Sequence, residues 1–145
     1  MIIMVVDGQG GGIGKSIIEK LKPLLGPENQ LIALGTNSIA TANMIKAGAD
    51  KAATGENAIK VNAARADIIM GSIGIISSNA MFGELSHKMA RAISESPAEK
   101  ILIPIKRCGI YVVGMSSDSM PKMIDEAVDT CVDMVKRSKK SCDIL

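Results

Sequence analysis

Asp7-Gly8-Gln9-Gly10-Gly11-Gly12-Ile13-Gly14-Lys15 decides how this chain of 145 residues is read. It follows the apolar run Ile2-Ile3-Met4-Val5-Val6 directly and opens into the helical spacing Ile17, Ile18, Leu21. Strand, glycine turn and helix in that order bring bare main-chain N–H groups to a helix N-terminus, where an anion is favoured. A buried strand feeding a helix needs few glycines for geometry alone. Five glycines among residues 8–14 exceed that need, and the surplus points to a phosphate lying against the main chain.

The spacing sorts the kinds of glycine loop. Gly14-Lys15-Ser16 has the ending of a P-loop, but position 9, where that motif needs its first glycine, is Gln. The strict G-x-G-x-x-G fingerprint also fails, because positions 13 and 15 are Ile and Lys. Two longer variants fit: Gly8-x-Gly10-x-x-x-Gly14 and Gly8-x-x-x-Gly12-x-Gly14. The second, continued through Lys15-Ser16-Ile17-Ile18, resembles the N-terminal segment of short-chain dehydrogenases/reductases, with Asp7 in place of their usual Thr. The resemblance ends with the first helix. It implies a dinucleotide fold whose loop wraps the cofactor pyrophosphate. It does not carry the reaction over, because that family uses Tyr-x-x-x-Lys and Tyr111 is followed by Met115.

The chain is long enough for one domain, residues 1–145, and too short for a cofactor domain plus a substrate domain. Hydrophobic content of 47% with 22% charged residues is an ordinary globular balance. Phe82 and Tyr111 are the only aromatics, which excludes a base-stacking platform, and a net charge of +2 gives no nucleic-acid footprint. Ten methionines, mostly at helix-face positions, read as core filler. No apolar run reaches membrane length, and Met1–Val6 lacks the charged start and cleavage site of a signal peptide. Three cysteines without a C-x-x-C predict reduced thiols and a cytoplasmic location. The ending Cys142-Asp143-Ile144-Leu145 has the form of a prenylation box, a short pattern that chance supplies easily, and it is discounted.

Strand and helix patterns alternate. Pro23 and Gly26-Pro27 end the first helix, and Leu31–Leu34 is a short buried strand. Gly35-Thr36-Asn37-Ser38 caps a helix reaching Ala47. Lys51–Ala53 is a weak third strand, Thr54-Gly55-Glu56-Asn57 caps a helix to Ala66, and Asp67–Met70 is the fourth strand. Met81, Leu85, Met89 and Ile93 predict a helix over Met81–Ser94 with one buried face. Ile101–Ile105 and Ile110–Val113 read as strands joined by Lys106-Arg107-Cys108-Gly109, and a last helix spans Met120–Arg137. The expected fold is therefore α/β: one three-layer Rossmann-like domain, its sheet mostly parallel. Ile110–Val113 forms an antiparallel edge, because four residues cannot make a parallel return.

Over its whole length the chain also resembles an uncharacterised family of short bacterial Rossmann-like proteins. The shared landmarks are the Asp7–Gly14 loop, Gly35-Thr36-Asn37, Thr54-Gly55-Glu56-Asn57-Ala58, and Ile103-Pro104 with Arg107-Cys108. That resemblance implies a complete small protein and no particular reaction.

In such a sheet ligands bind at the carboxyl ends of the strands. The candidate cofactor-binding residues there are Gly8, Gln9, Gly10, Gly11, Gly12, Ile13 and Gly14, then Thr36, Asn37 and Ser38, then Gly71 and Ser72. The second strand ends without the acid that holds the ribose hydroxyls of NAD, and Thr36, Asn37 or Ser38 can hydrogen-bond a 2′-phosphate. NADP(H) is thus expected slightly ahead of NAD(H), although no Arg lies nearby. Asp7 either contacts ribose or caps the glycine turn, and Lys15 either meets a phosphate or lies on the surface.

Catalytic groups are scarce. Cys108 sits beside Lys106 and Arg107, which lower a thiol pKa, but no partner base is identifiable. Cys131 falls on an apolar helix face, and the single histidine, His87, lies off the buried face of its helix. No metal site is expected. Three classes stay open: a nucleotide sensor or binding module, a reductase with Cys108, Ser77, Ser78 or Tyr111 as proton donor, and an enzyme on a phosphorylated metabolite. A homo-oligomer is expected, because Ile73-Gly74-Ile75-Ile76 with Met81-Phe82 forms an apolar patch in need of cover.

Overall fold

A computed structural model of the chain describes residues 1–106, 109–115 and 118–143. Strands and helices alternate as β1 (Ile2–Asp7), α1 (Gly12–Leu21), β2 (Gln30–Gly35), α2 (Ser38–Lys46), β3 (Lys51–Thr54), α3 (Glu56–Ala63), β4 (Ile68–Ser72), α4 (His87–Glu95), β5 (Glu99–Ile103) and α5 (Met120–Cys142). The strands form one five-stranded sheet of order β3-β2-β1-β4-β5. Every pairing is parallel, as strand-helix-strand crossovers require. This is the Rossmann-like order: the chain winds outward from β1 through β2 to β3, then returns to place β4 on the other side of β1.

Near-continuous apolar strands are what a sheet covered on both faces demands. Ile3, Val5, Leu31, Ala33, Ile68 and Met70 point to one core, where Ile17, Ile18 and Leu21 of α1, Met44 of α2, and Val128 and Cys131 of α5 meet them. Their neighbours Met4, Val6, Ile32, Leu34 and Ile69 form the opposite core with Ile59 of α3 and Met89 and Ile93 of α4. Each fully buried large aliphatic side chain contributes roughly 1.5–3 kcal/mol, against ~1 kcal/mol for a helix cap. Burial on both faces therefore dominates, and caps set where helices begin. The side chain of Asn37 accepts the N–H of Ala40 to start α2, and the Ser86 hydroxyl accepts that of Met89 to start α4.

Two expectations fail. Ile110–Val113 is not a strand, and no antiparallel edge is present among the described residues: Gly109 adopts φ 65°, and Tyr111 and Val113 are 88% and 94% exposed. β-Branched composition alone does not hold a strand that has neither a ladder partner nor a buried face. β5 itself stops at Ile103 because Pro104 has no N–H for a ladder. The helix expected from Met81 begins only at His87. Asn79, Met81, Phe82 and Gly83 have φ of 64°, 58°, 56° and 88°, a left-handed run that no right-handed helix accommodates. Leu85, Met89 and Ile93 are buried as their spacing predicts.

The apolar patch inferred around Ile73–Ile76 is also smaller than expected, because Ile75 is wholly buried against the α4 side. Arg107 and Cys108, the basic-turn cysteine and its neighbour, lie outside the described residues.

Candidate functional site

The crevice where the strand order reverses lies between the carboxyl ends of β1 and β4. A cleft of about 620 Å³ opens there, lined by Asp7, Gly8–Ile13, Ser72, the segment Ser77–Phe82, and Ile105. Such a volume falls within the range of small-molecule sites, about 300–1,000 Å³.

The glycine loop is organised from within by Asp7. This residue ends β1 with 7% exposure, and its carboxylate accepts the N–H of Gly8 at 2.7 Å and of Gly14 at 2.8 Å. Burial raises the Asp7 carboxyl above its ordinary value, against the hydrogen bonds from Gly14, Gly8 and Ile13, and the nearby Glu84 charge raises it further. Asp7 therefore caps the turn, and both its oxygens are engaged in doing so. The helix α1 begins after Gly11, which is left-handed at φ 71° and packs where a Cβ would lie 2.8 Å from Ala40 Cα. Gly14 is the close-packing glycine: a Cβ there would meet Met44 Sδ and Asp7 Cβ.

Gly10 and Gly12 differ from these. Neither has a positive φ, and a Cβ on either would meet nothing within 4 Å. Folding therefore does not require glycine at these positions, yet both line the cleft. The loop's other donors are engaged: Gly8 and Gly14 with Asp7, Gln9 with Glu84, and Gly11 with the Gly8 carbonyl. Gly10 and Gly12 are left, among the described residues, with N–H groups that have no acceptor within the turn. From behind, Asn43 Nδ2 donates to the Gly10 carbonyl at 2.8 Å, and Asn37 Nδ2 to that of Gln9 at 3.0 Å, so α2 fixes the loop's orientation.

Across the cleft, Ser72 ends β4 at 2% exposure, and its hydroxyl is the one buried side-chain polar atom without a partner among the described residues. Its neighbour Gly71 does not line the cleft. A Cβ on Gly71 would lie 2.7 Å from the Val6 carbonyl oxygen, so that glycine serves the close approach of β4 to β1.

Thr36 and Asn37 stand elsewhere. Glu84 Oε1 accepts from Thr36 Oγ1 at 2.9 Å, from Asn37 Nδ2 at 2.6 Å and from the N–H of Gln9 at 3.0 Å. Burial raises the Glu84 carboxyl, but the hydrogen bonds from Asn37, Gln9 and Thr36 outweigh it and hold the group below its ordinary range. Glu84 belongs to a loop closed on itself, since Asn79 N–H donates to the Leu85 carbonyl and Leu85 N–H to that of Ala80. The same loop places Met81 so that a Cβ on Gly8 would lie 2.6 Å from its Sδ. The β2 side of the glycine loop is thus covered, and the cleft is confined to the β4 and β5 side. Ser38 is exposed in the first turn of α2 and lines no part of it.

Of the residues singled out in the sequence, Asp7, Gly8 through Ile13, Ser72, Ser77 and Ser78 converge on one cleft; Gly14, Thr36, Asn37, Ser38, Gly71 and Tyr111 do not line it. Lys15 pairs with Glu19 at 3.7 Å on the surface of α1. Glu84 and Asn43 were missed, and Met81, expected on a helix face and in an apolar patch, lies against the glycine loop instead. The available signal was Gly83 inside an apparent helix, a break that moves the residues before it into a loop.

The sequence matches the family model described as "Domain of unknown function (DUF3842)" over residues 2–136, and the chain belongs to that family. No curated protein matches it. Among solved structures the fold is similar to the dodecameric FMN-dependent Ubix-like decarboxylase from Escherichia coli O157:H7, with a TM-score of 0.53 and 13% identity. The likeness covers 94% of this chain and 95% of that one. At such low identity it is a likeness of fold.

Proposed function

We propose that this chain binds a phosphorylated nucleotide cofactor of mononucleotide size in the β1–β4 cleft, with flavin mononucleotide the first candidate. The carrying observation is the convergence of unpartnered polar groups on one cleft: the N–H groups of Gly10 and Gly12, and the buried hydroxyl of Ser72. A phosphate at the start of α1 satisfies the first two and gains from the helix dipole. Ile13, Met81, Phe82 and Ile105 supply apolar wall for a flat ring. That the similar structure is of an FMN-dependent protein supports flavin as the class to test.

The cover over Gly8 speaks against the dinucleotide expected from the glycine spacing, because the second nucleotide half of such a ligand runs toward the end of β2. The preference for NADP(H) over NAD(H) also loses its support. Thr36 and Asn37 already serve a carboxylate, and a second anion beside Glu84 is repelled.

Fluorescence titration of FMN with purified protein tests the reading. Saturable binding at one site per chain, weakened at least tenfold by Gly12→Val, is the expected result. Absence of FMN binding overturns the flavin assignment, and equal affinity in Gly12→Val overturns the use of the glycine loop.

Self-association belongs to the same proposal. Phe82 at the cleft rim and Tyr111 and Val113 beyond β5 are exposed apolar side chains. Light scattering that reports a monomer at micromolar concentration would remove it.

A further inference from the structure

We propose that Glu84 is a specificity-determining residue: its carboxylate occupies an anion subsite at the end of β2 and so denies that subsite to a second phosphate of the ligand. This rests on the proposed cleft only for the direction from which a ligand extends. The subsite has three donors from three separate places, the main-chain N–H of Gln9, the hydroxyl of Thr36 and the side-chain amide of Asn37. All three reach one oxygen, Glu84 Oε1, at 2.6–3.0 Å. Such convergence is what binds a phosphate oxygen, and here it is filled from within the chain.

The three donor residues have anchors besides Glu84. Asn37 is held as the cap of α2 by Ala40 N–H, Thr36 N–H donates to the Asp7 carbonyl, and Gln9 follows Gly8 in the Asp7-organised turn. Removing the carboxylate therefore leaves a formed set of donors without an acceptor. Glu84 itself is delivered by the closed loop 79–85, whose left-handed Met81, Phe82 and Gly83 turn the chain back over Gly8. An acid at this point excludes a ligand with a phosphate there by charge, and by occupying its hydrogen bonds.

The matched pair NAD+ and NADP+ differs by one phosphate and reads this directly. Both are titrated calorimetrically against wild type, Glu84→Ala and Glu84→Gln, with FMN titrated in parallel and folding checked by circular dichroism. NADP+ affinity is expected to rise at least tenfold in Glu84→Ala, with NAD+ rising less and FMN changing under threefold. Glu84→Gln, which keeps the side-chain length without the charge, is expected to gain for NADP+ by a smaller factor. An equal gain for NAD+ and NADP+, or no gain for NADP+ in either folded variant, overturns the inference. Loss of FMN binding in wild type instead overturns the flavin reading, and leaves the NADP+ comparison to decide this one.

Discussion

Asp7 Oδ2 accepts the main-chain N–H of Gly14 at 2.8 Å, so the last residue of β1 holds the first turn of α1 from seven positions away. The helix N-terminus is thus held by a buried carboxyl of the chain itself, and the loop between is strung on it. The N–H groups of Gly10 and Gly12 are the part of the loop that neither Asp7 nor another acceptor among the described residues engages, and the proposed ligand uses these.

Asp7 and Glu84 should affect stability with opposite dependence on pH. Folding raises the Asp7 carboxyl from 3.8 through burial, so the native state holds that proton more tightly than the unfolded chain. Its contribution is full below 3.8 and is lost as pH rises through the native value. Glu84 is lowered from 4.5, burial being outweighed by its three donors, so its contribution is present above 4.5 and is lost as pH falls through the native value. Urea titrations across acid pH should show the gap between wild type and Asp7→Asn shrinking as pH rises. The gap to Glu84→Gln should shrink as pH falls, and parallel profiles for the two variants would contradict the assignment.

Gly12→Val and Gly11→Ala should separate binding from folding. A side chain at position 12 enters open cleft, so the variant should melt close to wild type while binding FMN at least tenfold more weakly. Position 11 combines φ 71° with a 2.8 Å approach to Ala40 Cα, and Ala there should cost about 1–3 kcal/mol in urea titrations. Similar melting temperatures for the two variants would show that the loop relaxes freely.

Ser72→Ala should make the unliganded protein more stable by about 1 kcal/mol, because it removes a buried hydroxyl without a partner. The same change should weaken FMN binding roughly threefold to tenfold, the worth of one hydrogen bond. A variant that is destabilised and binds normally would assign the hydroxyl a structural role.

Thiol alkylation should rank the cysteines. Burial pushes the Cys131 thiol up to about 12, and the side chain is inaccessible, so it should react only through unfolding and track urea concentration. Cys142 is exposed and should react in the native protein. From its neighbours Lys106 and Arg107, Cys108 is expected to form thiolate at lower pH than Cys142. Single-cysteine variants titrated across pH provide the comparison, and identical midpoints would remove the basic-turn effect.

The sequence by itself determined the alternation of strand and helix, the Rossmann-like winding from β1, and the loop at the β1–α1 turn. Each rests on local pattern: apolar runs for strands buried on both faces, helical spacing on α1, α4 and α5, and glycines where chain direction changes. Ile17, Ile18 and Leu21, or Leu85, Met89 and Ile93, are buried because residues a turn apart share a face whatever lies opposite. Tertiary structure alone decided what each glycine does and which side of the loop is open. Gly11 and Gly14 are explained by Ala40 and Met44, and Gly10 and Gly12 by empty space, a distinction absent from the string of letters. Glu84 reaches Gln9 across 75 positions, and no local spacing encodes that contact. The same holds for Ile110–Val113, whose composition suits a strand. A strand exists only where a partner's hydrogen-bonding edge and a covered face meet it, and both are properties of the packed chain.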